Sequence, residues 1–550
     1  MTWHTRFKER LALGGEPMFA LDFQSPDLLG SGSTSLTPHR YVLHSHSAPS
    51  DDRHIPNAIA RVSSTGQRVN VRSWKSSMGG LRVTLAGADV AQYVAMQIPR
   101  GMVAEFKVGF EGFTYDQFET VGLYTFRGLS GSRNNWTMEF SDFFTLLQAP
   151  QSVHLSGQFY KDAGQNKANV TVTWDPGDAT LETDGASAST FPKDGSSGAR
   201  GLLYCEPTSA GSEPFYLKFT AVGSSSGVSG VLDPSLTLGA NQFEIADANV
   251  IGTTRYRLNP SDDVTLIGYV HDMVPDVAYM VLFGGLAGAS TMPDNWHMDL
   301  NYSSHLTNRT DLNRWRSRWT SFYMDFNADL IVSAPMENAY RGLEEFLSAF
   351  GWWLVFKEGA LSFRFVQRTV PAAGYGPLDV ADYVITDADI VSEDGYQLYN
   401  PDAPVEYFQV YYPSAISTDT ASPFSSVGTR PAEFRLDHPS RDRVFNDDVS
   451  SGYESQALIN LRGRLDPWYA RIPDQMSLTL KGWRFAELVP GDVVSLESNY
   501  IYDMVNGFDI MLGESVDRHH NGTQYLVTGV DVNWSDFSVS VQLSTPPYTA

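Results

Sequence analysis

Apolar residues fall on every second position through long stretches at both ends of this chain, a spacing that suits a half-buried β-strand and not an α-helix. Leu81, Val83 and Leu85 alternate with Arg82 and Thr84, and Phe106, Val108 and Phe110 alternate with Lys107 and Gly109. Further strands are predicted over Phe118–Leu129 and over Trp136–Leu147, where Met138 and Phe140 share a face. Near the far end the same period runs through Met476, Leu478 and Leu480, through Val494 and Leu496, and through Phe537, Val539, Val541 and Leu543. An antiparallel sheet with one dry face is expected at each end, closed as a barrel or stacked as a sandwich.

Between the ends the pattern changes. A chain of 550 residues exceeds what one core supports, so three or four domains are expected. A loop-like stretch, Asp175 to Arg200, leads to short strands at Gly201–Glu206 and Phe215–Val222 and a break over Gly223–Gly230, which reads as a small inserted β unit. An amphipathic helix is predicted from Pro335 to Phe350, because Met336, Ala339, Leu343, Phe346, Leu347 and Phe350 recur at helical steps, with Gly351 as its stop. Trp352–Phe356, a Lys357-Glu358-Gly359 turn and Leu361–Val366 then form a hairpin. A strand over Val405–Tyr412 and a helix over Tyr453–Leu465 precede the last alternating segment. The fold class is therefore mainly β with an α+β middle, divided at 1–165, 166–255, 256–385 and 386–550.

Composition excludes several functions. One cysteine, Cys205, rules out an intramolecular disulfide framework, a Cys-rich zinc module and a four-cysteine cluster, and fits assembly in a reducing cytoplasm. With 39 basic against 63 acidic residues the net charge is −24, which repels phosphate and disfavours a conventional nucleic-acid binder. Met1–Arg10 has no leader pattern, and the apolar run Val277–Ala289, broken by Gly284, Gly285 and Gly288, is too short to cross a bilayer; it is expected in a core. No membrane anchor is expected.

The candidate chemical groups are each met by a simpler reading. His39, His44 and His46 lie in one strand-like run, with His44 and His46 on the same face and His54 nearby, but no spacing completes a metal site and surface or packing roles are expected. Asp325, Asn327 and Asp329 alternate as in a calcium loop, yet Leu330 stands where that loop needs glycine, so a strand end is expected. Gly223, Ser225 and Gly227 match a nucleophile elbow without its strand-to-helix setting, and the pairs Asp51 with Asp52 and Asp447 with Asp448 sit in polar loops. No catalytic, cofactor-binding or metal residue is assigned, no cofactor is expected, and the chain is expected not to be an enzyme.

Four stretches resemble the tail tip and baseplate hub proteins of tailed bacteriophages: Asn135–Phe140; Gly342–Leu347 with Gly351, Trp352 and the Gly359 turn; Phe191, Pro192 and Gly195 with Leu202–Glu206; and Leu488–Leu496 with Tyr525–Val527. The resemblance implies two tail-tube-like antiparallel β-barrel domains per chain, with small domains inserted, and a homotrimer whose ring continues a sixfold tube in the virion. It implies as partners the tail tube or distal tail proteins, a central fibre or spike and the tape-measure protein, with phage DNA passing through without specific binding. Two other functions are compatible with the residues: a receptor- or carbohydrate-binding tail protein, favoured by 12 Trp and 26 Tyr, and a polysaccharide-degrading enzyme. The Pro490-Gly491-Asp492 step is read as a hairpin corner that needs no chemistry.

Overall fold

The structure, a computed structural model, describes residues 3–24, 41–47, 54–71, 73–133, 135–144, 167–185, 201–212, 214–223, 226–245, 257–272, 274–283, 328–332, 339–366, 383–397, 407–413, 421–425, 433–437, 475–502 and 519–544.

Helix α1 (Thr5–Leu13) opens the chain. The His4 ring accepts a hydrogen bond from the Arg6 amide at its start, and Gly14, at φ +82°, stops it. Ten strands follow: β1 (Pro17–Gln24), β2 (Tyr41–His44), β3 (His54–Ile55), β4 (Ile59–Val62), β5 (Thr65–Asn70), β6 (Lys75–Met78), β7 (Leu81–Leu85), β8 (Val103–Phe110), β9 (Glu119–Ser132) and β10 (Asn135–Asp142). Eight of them make one sheet in the order β3-β2-β1-β8-β9-β10-β7-β4, with α2 (Ala88–Gln97) against β7 and β10. The alternation is realised as expected: Leu81, Val83 and Leu85, and Met138 and Phe140, all enter the core. Phe106, Val108 and Phe110 do too, but both faces of β8 are covered, because Glu105 on the opposite face is also buried.

The middle region supplies β11 (Lys167–Asn169), β12 (Thr180–Glu182), β13 (Gly201–Glu206), β14 (Phe215–Val222), β15 (Val228–Ser229), β16 (Thr237–Leu238), β17 (Gln242–Ile245), β18 (Asp263–Asp272) and β19 (Ala328–Val332). Their main sheet runs β11-β18-β13-β14-β17-β12, with β19 added to β18 in a register that sets Asp329 opposite His271. Buried Glu244 ties down the turn before β16: it accepts from Thr220 Oγ1 at 2.6 Å and from the amides of Val231, Leu232 and Asp233. Asp325 and Asn327 lie outside the described residues, as do Ser225, Phe191, Pro192 and Gly195.

The apolar run from Val277 is the buried side of α3 (Val274–Phe283), where Val277, Ala278, Val281 and Leu282 are wholly enclosed. Helix α4 (Ala339–Ala349) buries Leu343, Phe346 and Leu347 and leaves Arg341 and Glu345 in water, as the spacing predicts; positions 335–338 lie outside the described residues. Gly351, at φ +69°, stops it. Strands β20 (Trp352–Lys357) and β21 (Ala360–Phe365) are joined by Glu358 and Gly359, both at positive φ, the conformation of a two-residue hairpin turn.

The last region contains β22 (Tyr383–Thr386), β23 (Ile390–Gln397), β24 (Tyr407–Pro413), β25 (Ala421–Ser425), β26 (Glu433–Asp437), β27 (Gln475–Lys481), β28 (Val493–Tyr502), β29 (His519–Asn533) and β30 (Ser538–Ser544). The order β22-β28-β29-β30-β27-β23 makes a second large sheet, and β25-β24-β26 a ribbon of three. Phe537 belongs to the turn before β30, at φ +57°, rather than to the strand; its ring packs edge-on against Trp483 with centroids 4.6 Å apart. The helix expected over Tyr453–Leu465 lies outside the described residues, as do Asp51, Asp52, Asp447, Asp448 and His39. The molecule is thus mainly β, and among the described strands both large sheets are open rather than closed into barrels.

Candidate functional site

The two terminal sheets are joined by an exchanged hairpin. Strands β5 and β6 leave the first sheet between β4 and β7, and β5 pairs with β29 of the second, Thr65 opposite Val532 and Arg68 opposite Gly529. Gly66 makes room there for the Asp531 carboxylate, which a Cβ would approach within 3 Å and push aside. Across the hairpin, Gln67 exchanges two hydrogen bonds with the Phe356 backbone, Nε2 to O at 2.6 Å and N to Oε1 at 2.9 Å, in place of a strand partner.

The short β20–β21 hairpin is wedged into this joint. Trp353 donates its indole N–H to the Pro490 carbonyl at 3.1 Å, and its ring lies flat on Trp74 from the exchanged hairpin. Asp492, 3 % exposed, accepts from Arg364 Nε and Lys357 Nζ, each at 2.9 Å, and from the Val489 amide. Burial alone would raise that carboxyl; the two cations outweigh it and hold it below the usual carboxylate range. The Pro490-Gly491 step is indeed a turn, closed by the Asp492 amide on the Val489 carbonyl. Its third residue, however, is the anion of a buried ion triple, which sequence spacing gave no reason to expect.

Helix α1 fastens the outer side. Lys8 bridges Glu358 at 2.6 Å and Glu487 at 3.1 Å; burial works against its charge, and the two carboxylates prevail and raise its pKa. Phe7, Phe110, Trp483 and Trp534 form a continuous run of rings from the helix through the first sheet to the second. One hydrophobic core accordingly spans both terminal regions and the β20–β21 hairpin.

A second polar cluster lies on the far face of the first sheet. His44 Nε2 is 2.7 Å from His54 Nδ1, the His46 ring packs edge-on to His44, and Tyr115 covers both His44 and His54. The histidines predicted to share a face are therefore together, joined by groups that only the fold supplies: Asp22, which accepts from the Tyr115 hydroxyl at 2.7 Å, and Lys107, between Asp22 and Glu105. No group of three or more His, Cys, Asp or Glu side chains with metal-binding geometry occurs among the described residues. No helix among them is long and apolar enough to cross a membrane.

No protein-family model matches the sequence, and no curated protein does. Among solved structures, the chain is similar to the 43 kDa tail protein of prophage MuSo2 from Shewanella oneidensis, at 10% identity and a TM-score of 0.35, over 88% of this chain and 95% of that one. It is similar to prophage tail protein gp18 from Listeria monocytogenes EGD-e, at 9% identity and 0.26, over 88% and 89%, and to a chain of the p2 virion baseplate in its activated conformation, at 8% and 0.23, over 97% and 100%. These three structures are prophage tail proteins and a chain of a virion baseplate.

Proposed function

We propose that the chain is the structural hub of a phage tail tip or baseplate, joining the tail tube to a central fibre or spike and lining the channel through which DNA leaves. The observation that carries the reading is the joint: two large antiparallel-rich sheets in one chain, locked by an exchanged hairpin, a buried ion triple and a shared core. Such a chain offers two sheet units in a fixed relation, which is what a trimer needs in order to present six units to a sixfold tube. The net charge of −24 suits a wall past which a polyanion must slide. The units proposed are 1–165, 166–255, 256–385 and 386–550, the first and last completing tube-like barrels in the assembled ring.

A receptor- or carbohydrate-binding role would find its natural place in the groove of about 960 Å³ between α1, β4 and the turn before β30. Of its four aromatic lining residues, Trp483 and Trp534 are each 2 % exposed and committed to packing, and Phe19 and Phe537 are half-buried with rings packed on Phe106 and Trp483. The hub reading is tested by counting copies in purified particles. Three per tail supports it, and one or six overturns it.

A further inference from the structure

We propose that the edge of the first sheet formed by β2 and β3 is an acid-released latch, held shut by the neutral histidines His44, His46 and His54 and opened when they take up protons.

The geometry makes this edge separable. Strand β3 pairs with β2 over two positions only, Val42 with His54 and Leu43 with Ile55. Beneath it lies a satellite core separate from the main one, built from Ala20, Val42 and Phe118 with Met18, Phe113 and Tyr115 at its rim. A short stretch of chain around Tyr115–Gln117, folded as one turn of 3-10 helix, forms its cover. On its other face β2 sends Leu43 into the main core, with Tyr41 and Ile55 packed against it; this outer pair still holds fewer core side chains than the strands inside the sheet, and it opens more readily than they do.

Backbone bonds from Ala58 to His44 and from Asn57 to His46 also hold the edge, but its side-chain fastener is sensitive to protons. The 2.7 Å contact between His44 Nε2 and His54 Nδ1 needs one ring nitrogen to donate and the other to accept. When both rings are protonated, both nitrogens carry hydrogens and the contact becomes repulsive. The first proton is already resisted, because Nδ1 of His44 and Nδ1 of His46 are buried without a partner among the described residues to receive an N–H. His44 is wholly buried.

The facing charges do not cancel the effect. From β1 comes Asp22 and from β8 come Glu105 and Lys107; Lys107 lies between the two carboxylates, and the Tyr115 hydroxyl donates to Asp22. Burial lowers the pKa of His44 first of all, followed by its neighbours His46 and His54; Asp22 pulls the other way, and the result is about 3. Burial lowers His46 as well. A histidine with a depressed folded-state pKa binds fewer protons than the open chain, so the closed edge is lost progressively as pH falls from the ordinary histidine value of about 6.5 toward the folded one. Opening leaves β1, which pairs with β2 from Ala20 to Phe23, as the new sheet edge with its backbone groups available to another strand.

The test is hydrogen exchange of the full chain at pH 7.5 and pH 5.0, corrected for the intrinsic rate, comparing peptides over 41–47 with peptides over 538–544. Linkage through His44 alone predicts that protection of β2 falls about 10- to 30-fold more than that of β30. His44→Gln, which keeps a hydrogen-bonding side chain without the titration, should abolish most of the difference; if that variant does not fold, His44→Asn serves the same purpose. Equal acid responses in the two strands, or an undiminished difference in both variants, would overturn the latch.

Discussion

Trp74 stacks on Trp353 with ring centroids 5.5 Å apart and planes 16° from parallel, and it reaches that position by adopting φ +52°, where a bulky side chain is strained. The turn of the exchanged hairpin is bent so that this ring meets the β20–β21 wedge, with the Trp74 amide held on the Asn70 carbonyl at 2.7 Å. Trp74→Ala should cost about 3 to 5 kcal/mol of unfolding free energy in denaturant titration. A loss below about 1 kcal/mol would show that the hairpin docks without it.

Gly491 is a second constraint on the joint. Its φ is +106°, and a Cβ there would stand 2.8 Å from both Arg364 and Trp353. Gly491→Ala should therefore lower the melting temperature more than Gly112→Ala, which shares a positive φ of +81° but has nothing within 4 Å of the added carbon. Equal shifts would mean that only the backbone matters and that the close approach is relieved.

Removing the anion of the ion triple takes away the carboxylate that faces both Arg364 and Lys357. Asp492→Asn is expected to destabilise by about 3 to 5 kcal/mol, the range for breaking a buried pair from one side. The pH dependence has a definite sign. Because the folded Asp492 carboxyl is held below its ordinary value, its contribution is present above that value, near 3.8, and is lost as pH falls through the folded one. Stability measured from pH 6 downward should fall more steeply below about 4 in the native chain than in the variant.

The buried face of α4 separates two classes of change. Leu343→Asp or Leu347→Asp places an unpaired charge in the core at a cost of several kcal/mol, about the margin of a whole domain, and should abolish soluble expression. Glu345→Ala removes only an exposed pair with Arg341 and should be tolerated. Equal tolerance would contradict the helix face.

For the hub reading, a substantial share of the acidic excess should line the bore of the assembled ring. DNA nearly filling a narrow pore stays within the screening length of about 8 Å, so an acidic wall repels it along the whole passage and a basic one holds it through counterion release. Asp or Glu to Lys changes at bore positions should slow ejection and steepen its salt dependence. A basic bore, or Lys changes without effect, would defeat the expectation.

Much of this architecture is legible in the residues. The strands around Val83, Met138, Leu478 and Val541 and the helix face around Leu343 follow from apolar period alone, because each element meets a dry side and a wet side; the strand around Phe106 shows the same period although both its faces are covered. The turn at Glu358-Gly359 follows from local backbone preference. What the period cannot say is which strand becomes a neighbour, and so the pairing of β5 with β29 was not visible; Thr65–Asn70 satisfies the same alternation in either sheet. The gathering of Asp22, Lys107 and Tyr115 around the histidines escaped for a similar reason, since sheet register brings Asp22 and Lys107 together and Tyr115 comes from a separate 3-10 turn. Asp492 was legible as a corner and not as an anion, because its cations lie on a different hairpin.

The exchanged hairpin also imposes an order in time. Arg68 and its ion-pair partner Asp531 are 463 residues apart, so β5 leaves the ribosome long before the strand that will cover its edge. At 5 to 20 residues per second that interval is roughly 20 to 90 s. Throughout it, the hairpin from Thr65 to Met78 has a vacant side, and that side is filled only when the far end of the chain arrives.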